Sequence, residues 1–305
     1  MALLPDYDAL TKRLTATLVT LDPSGVLTIL INRSKERNTY VGPLQLELIE
    51  LFGLADKDDR VRVVILTAEH TAPAFCSGAD ISKGWDILWT PETEAEGEHA
   101  HRDGGGQLTL AILACRKITI VAINGHTAGV GTTALQLPFD FRFIWAGAKL
   151  TFPFIRRGIV PEAVSSYLLP KLIGLSRATS VLLTGGTISP TSPHVSLLYH
   201  QIVEKREDVY PEAFKLAKDL AENTSQTSVA YAKALLHHPG DSPEENHLLD
   251  SRAIRILGKS NDAKEGVQAF FERRKPKFTD TLSKNLGPWY PWWRRVDIKH
   301  VKSKL

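Results

Sequence analysis

Helical-period and buried-strand patterns alternate three times through the middle of this 305-residue sequence, and each strand of the first two rounds runs into a loop of small residues. The first round is PLQLELIELFGLADKDD, the β-branched run Val61 to Leu66, and a loop containing AFCSGAD. Gln107 to Cys115 and Ile118 to Ile123 form the second, which opens into Asn124-Gly125. The third has a helix from about Gly131 to Leu137, the strand Phe141 to Trp145 and a helix opened by Pro161-Glu162. Strands this uniformly apolar need cover on both faces, so the alternation predicts an α/β core.

The flanks read differently. Ala16 to Arg33 holds two β-rich runs joined by Asp22-Pro23-Ser24-Gly25, an opening hairpin. From Tyr210 onward the patterns are helical: PEAFKLAKDLAE, SVAYAKALLHH, SPEENHLLDSRAIRIL started by Ser-Pro, and DAKEGVQAFFERR with Asp262 and Glu265 at capping-box spacing. Between Lys83 and Gly106 the rhythm breaks at four glutamates, His99, His101 and Gly104-Gly105-Gly106, which predicts a mobile surface excursion. The expected organisation is a core over 1–205, a helical region over 206–275 and a basic Trp-rich tail over 276–305.

A hydrophobic fraction of 43% with 23% charged residues supplies a core of ordinary size and excludes wholesale disorder. Two cysteines, Cys76 and Cys115, cannot build a disulfide framework, and a reducing compartment is expected. MALLPDYDALTKRL lacks the basic-then-apolar order of a leader, and no run approaches the ~18 apolar residues of a membrane span. The net charge of +3 is unevenly spread: Glu272 to Leu305 carries ten basic and three acidic residues, and the rest of the chain is slightly acidic. Three of the six tryptophans sit in GPWYPWWRR of that segment. This composition also suits base stacking or a membrane interface, but no nucleic-acid module accompanies it, and docking onto the chain's own fold is expected.

Individually, the candidate motifs have plain explanations. Gly78 in AFCSGAD stands where a strand ends, so nearby N–H groups can face a ligand, as they do in many ordinary turns. INGHTAGVG lacks the lysine of a phosphate loop and the full glycine pattern of a dinucleotide fingerprint. Together, however, two such loops can each contribute one donor to an oxyanion hole. Glu162 after Pro161 suits a helix N-terminus without any catalytic duty. Its neighbours Ile159, Val160, Ala163 and Val164 favour a raised pKa and a base that works near neutral pH. Cys76 has no basic partner close in sequence, and His99, His101 and Asp103 lack a further ligand cluster, so neither is assigned chemistry and no metal is expected.

In this order the three motifs resemble the enoyl-CoA hydratase/isomerase (crotonase) superfamily, from about Thr15 to Phe271. RRGIVPEAVSSYLLPKLIGLSRATSVLLTG looks most like the peroxisomal Δ3,Δ2-enoyl-CoA isomerase branch. The resemblance implies a ββα spiral core with a helical C-terminal region, which in this family packs subunits into trimers or hexamers. It implies an oxyanion hole from the N–H groups of Ala79 and Val130, and Glu162 as the acid/base. Ser77, Gly78, Asp80 and Gly129 fall in the substrate-binding loops, and Lys35 and Arg37 match a segment that lies along the CoA nucleotide. Acyl-CoA is then the substrate, with coenzyme A part of it and no separate cofactor.

The two carboxylates used by hydratases of the superfamily fall here on Thr133 or Ala134 and on Phe154, which disfavours that chemistry. The expected reaction is therefore migration of a double bond from 3-enoyl-CoA to 2-enoyl-CoA through a dienolate. The alternatives are an enoyl-CoA hydratase acting on a branched or secondary-metabolite acyl-CoA, and a non-catalytic acyl-CoA- or RNA-binding member. The chain ends in Ser303-Lys304-Leu305, the peroxisomal address read by an import receptor. No nucleic acid is expected as a partner.

Overall fold

The computed structural model describes residues 4–82, 84–85 and 100–298. The opening hairpin forms as expected: β1 (Thr17–Leu21) pairs antiparallel with β2 (Val26–Ile31), with Leu21 opposite Leu27 beside the turn. After helix α1 (Tyr7–Arg13) and this hairpin come α2 (Gly42–Lys57), β3 (Val63–Ala68), α3 (Gly104–Ala114) and β4 (Ile118–Ile123). The middle continues with β5 (Thr127–Ala128), β6 (Phe141–Trp145), β7 (Leu150–Thr151), α4 (Ser165–Ile173), α5 (Leu175–Thr184), β8 (Thr187–Ile188) and β9 (Gln201–Val203). Helices α6 (Val209–Asn223), α7 (Gln226–His237), α8 (Pro243–Leu257), α9 (Asn261–Glu272) and α10 (Leu282–Asn285) complete the order.

The main sheet runs β1-β2-β3-β4-β6-β9, parallel from β2 onward. Every residue of β3 and β4 is buried, because both faces are covered and the side chains alternate between them. Val64, Leu66, Val121 and Ile123 join Leu48, Leu51, Phe52 and Leu108 of α2 and α3 in one cluster. Val63, Ile65, Ile120 and Ala122 meet α6 on the opposite face, where Val209, Ala213, Ala217 and Ala221 recur every fourth residue. That small-residue stripe lets the helix lie close to the sheet. Strands β5, β7 and β8 form a separate three-stranded sheet beside the loops of interest.

Several local expectations change. β3 starts two residues late, since the N–H groups of Arg62 and Val63 both turn to Gly25 O in the hairpin. The helix expected over Gly131–Leu137 does not form; a 3-10 turn at Gly129–Gly131 leads into further turns. The Gln136 side-chain amide donates 3.0 Å to Gly131 O, the acceptor a helix would reserve for Leu135, and Leu135 N reaches back to Val130 O instead. Gly104-Gly105-Gly106 belongs to the first turn of α3, capped by Asp103, rather than to a loop. α4 begins at Ser165, not at Pro161-Glu162, because Ala163 and Val164 both take left-handed backbone. α9 is capped by the Ser260 hydroxyl, while Asp262 accepts from the N–H groups of Thr279 and Asp280. The proline-containing stretch ISPTSPHVSLLYHQIV supplies the end of β8, a 3-10 turn at Ser196–Leu198, and β9 at the sheet edge.

The tail folds back, as expected for a segment docking on its own chain. Trp289 and Trp292 stack beside Tyr231 of α7, and Trp293 lies 3.9 Å from the His238 ring. Trp292 Nε1 donates to His238 O. No described helix is long and apolar enough to cross a membrane.

Candidate active site

Two loops meet at the ends of β3 and β4. Cys76 bridges Thr127 in parallel fashion, Phe75 N donates 3.0 Å to His126 O, and Ala128 N donates 3.1 Å to Cys76 O. Tyr40 continues the pairing on the other side: its N–H donates 2.8 Å to Gly78 O and its carbonyl accepts from Asp80 N. Gly78, at φ 98°, needs glycine twice over, since a Cβ there would stand 3.1 Å from Ala128 O. The pairing uses the N–H groups of Phe75, Cys76, Ser77, Asp80 and Ala128. Among the described residues, the N–H groups of Ala79 and Val130 donate to no protein acceptor, and neither does that of Gly129, so each adjoining loop keeps at least one unused donor.

Glu162 approaches from the segment before α4. Its Oε1 accepts 2.6 Å from the Thr133 hydroxyl, and Thr133 N donates 3.0 Å to Gly129 O of the second loop. Its Oε2 lies over Gly105, where a Cβ would stand only 2.0 Å away. Two consecutive non-glycine residues at φ 59°, Ala163 and Val164, turn the chain here. For β-branched Val164 this is a strained conformation, of the kind that persists where surrounding contacts enforce it. Those contacts are Ala163 N to Asp103 Oδ1 at 3.1 Å and Thr109 Oγ1 to Ala163 O at 3.2 Å.

Lost solvation, reinforced by the neighbouring Asp103 carboxyl and opposed by the Thr133 hydroxyl, raises the Glu162 carboxyl to about 8. The surroundings only partly match the apolar company expected. Ala163 is buried and Ile159 packs on the core, but Val160 is 76% exposed. Thr133, Gly105 and Asp103 provide the rest. Phe154 is buried in the core, so no carboxylate occupies that position. Cys76 is buried beneath the loops, and burial pushes its thiol up to about 12, which fits an inert packing residue.

The remaining expected binding residues separate. Arg37 and Ser77 line a cavity of about 320 Å³ with Ala74, His126, Ala128 and Lys149. Glu162, Ala79 and Val130 are not among its walls. Lys35 is exposed on the 3-10 turn Ser34–Glu36, and Asp80 is exposed at the end of its loop. Gly129, at φ 53°, shapes the second loop through its backbone. His126 lies within INGHTAGVG and Lys149 outside any motif; neither was assigned a role from the sequence, and the bonds from Thr127 N to Lys149 O and from Lys149 N to His126 Nδ1 set them side by side in this cavity. Thr133 was legible as a substituted position and Asp103 only as a loop residue beside two histidines; neither was legible as a partner of Glu162. His99 and Ser303-Lys304-Leu305 lie outside the described residues.

Solved structures with this fold class have crotonase-type architecture. A probable enoyl-CoA hydratase/isomerase from Mycobacterium abscessus superposes with a TM-score of 0.75 at 28% identity, covering 87% of this chain and 98% of that one. A putative enoyl-CoA hydratase from Streptomyces coelicolor A3(2) gives 0.77 at 27% identity, covering 92% and 97%. The family model for enoyl-CoA hydratase/isomerase matches residues 22–281, and the chain belongs to that family. Among curated relatives, enoyl-CoA hydratase AFT3-1 of Alternaria alternata is 40% identical over 87% of each chain. The 1,2-epoxyphenylacetyl-CoA isomerase of Escherichia coli K12 is 29% identical over 84% of this chain and 95% of its own.

Proposed function

We propose that this protein hydrates a 2-enoyl-CoA thioester, with Glu162 as the proton-transfer group and the N–H groups of Ala79 and Val130 as the oxyanion hole. The observation that carries the chemistry is a desolvated carboxyl held beside two loops that each keep an unused N–H. Ionised Glu162 takes a proton from water as the water oxygen adds to C3. The two N–H groups stabilise the thioester oxygen as it becomes an enolate, and Glu162 then returns a proton to C2. The names of the 40%-identical relatives favour hydration. The replacement of family carboxylates at Thr133 and Phe154 weighs less against it once Asp103 is seen beside Glu162.

Migration of a 3-enoyl double bond is the second reading, favoured by Thr133 and Phe154 standing where the carboxylates of hydratases fall. There the same group removes a proton from C2 and returns one to C4. The two readings separate when 2-enoyl and 3-enoyl thioesters are incubated side by side in deuterated water and followed by mass spectrometry. Hydration adds one water and places label at C2, whereas migration leaves the mass of water out and labels C4. A panel with neither outcome, but with retained acyl-CoA binding, would leave the non-catalytic binding member.

A homotrimer or hexamer and peroxisomal import through Ser303-Lys304-Leu305 complete the proposal. Leu248 and Ile254 of α8 and Val267, Phe270 and Phe271 of α9 are all more than half exposed, the largest at 78%. Exposed apolar side chains on two consecutive helices are what a neighbouring subunit would cover. Sedimentation equilibrium is expected to give three or six chains, and Phe270→Asp with Phe271→Asp should shift the mass toward one. A monomeric wild-type protein would contradict this.

A further inference from the structure

We infer that Asp103 is a positioning residue that keeps the transferred proton on Glu162 between the two halves of the reaction, an inference that rests on Glu162 being the proton-transfer group. Asp103 is 59 residues away in sequence, yet its carboxyl reaches the peptide that follows Glu162 and the Glu162 side chain itself. Its Oδ1 accepts from Gly106 N at the start of α3 and, at 3.1 Å, from Ala163 N, the peptide that directly follows Glu162. Its carboxyl also lies within hydrogen-bonding reach of the Glu162 carboxyl. Glycine at 105 lets the two acids close over the helix N-terminus, because a side chain there would occupy the place of Glu162 Oε2.

Two facing carboxyls share one proton more readily than they carry two charges. Asp103 Oδ1 already accepts from the backbone N–H groups of Gly106 and Ala163, so its carboxyl stands as the acceptor and Glu162 as the donor of the hydrogen between them. That agrees with the rise of Glu162 to about 8, of which burial is the larger cause and Asp103 a further one. The other groups facing this carboxyl are Thr133, which donates to Oε1, and the Tyr40 phenol and Cys76 thiol. Tyr40 donates to Gly104 O, and burial raises both acids, so each remains neutral through the working range. Once Glu162 has taken a proton from water or from C2, it can donate that hydrogen to the Asp103 carboxyl as a hydrogen bond. The bond is given up when the proton leaves for C2 or C4, and no other group changes charge.

The test is direct titration of Glu162 in substrate-free protein carrying ¹³C-carboxyl glutamate, with Glu162→Gln assigning the signal. Asp103→Asn keeps the oxygen that accepts from Gly106 and Ala163 while removing the charge; Asp103→Ser keeps a capping oxygen and removes the carboxyl. In the wild type the midpoint is expected near 8, and resolvably lower in either variant, with melting temperature and circular dichroism close to wild type. The acid limb of kcat/KM should move down with it on any thioester that turns over. A midpoint that stays in place in folded variants overturns the inference. Should the midpoint move while no thioester is turned over, the pairing stands and the proposed function fails. Should turnover proceed with an unmoved midpoint, the reverse holds.

Discussion

Glu162→Gln is expected to lower turnover of the productive enoyl thioester by about 10²- to 10⁴-fold, while acyl-CoA binding survives. The amide has the shape of the carboxyl, can accept from the Thr133 hydroxyl now 2.6 Å away, and can donate toward Asp103. What it lacks is a proton that comes and goes. The same variant should be more stable than wild type in alkaline solution, and the sign follows from the raised pKa. The folded chain holds the Glu162 proton up to about 8, whereas the ordinary value is 4.5. Its contribution to stability is therefore fully present below about 4.5 and is lost as pH rises through about 8. Melting curves of the two proteins should diverge across that window, with the glutamine variant higher at its alkaline end. Undiminished turnover, or a variant that melts below wild type at pH 8, would remove Glu162 from the role assigned to it.

Gly105→Ala should separate stability from activity even more sharply. Gly105 lies in the first turn of α3 and has no positive φ, so alanine suits its backbone, and helix propensity favours alanine there by about 1 kcal/mol. The added methyl would nevertheless stand 2.0 Å from Glu162 Oε2 and 3.0 Å from the Ala163 Cβ. The carboxyl must retreat by about an ångström or more, a displacement able to cost about 10²-fold in rate. Circular dichroism and melting should look like wild type while kcat collapses. Retained kcat would mean that the carboxyl need not occupy this position for catalysis.

Two of the central strands were readable residue by residue, while β3 was placed two residues early and the short strands β5, β7, β8 and β9 were not anticipated. Ile118–Ile123 and Phe141–Trp145 occur where their apolar runs stand, because a strand buried on both faces leaves little doubt about its extent. Helix ends were less readable. Pro161-Glu162 has the composition of a helix start, but Asp103 and Thr109 bind the backbone of Ala163 and postpone α4 to Ser165. Gly131–Leu137 has the composition of a helix, but Gln136 takes the carbonyl that the helix would need. In both cases a polar side chain outcompetes a local preference worth only tenths of a kcal/mol per residue.

Local pattern and resemblance sufficed for the α/β class, the hairpin, the C-terminal helices and the choice of Glu162, Ala79 and Val130 as candidates. Periodicity expresses which faces must be covered, and that information is spread along neighbouring residues. The proton affinity of Glu162 is a different kind of property. It depends on solvent being excluded and on an acid 59 positions earlier being turned toward it, with a glycine between them leaving room for an oxygen. Only the folding of α3 against the segment before α4 creates that environment, because electrostatic energies are set by distance and burial rather than by order along the chain.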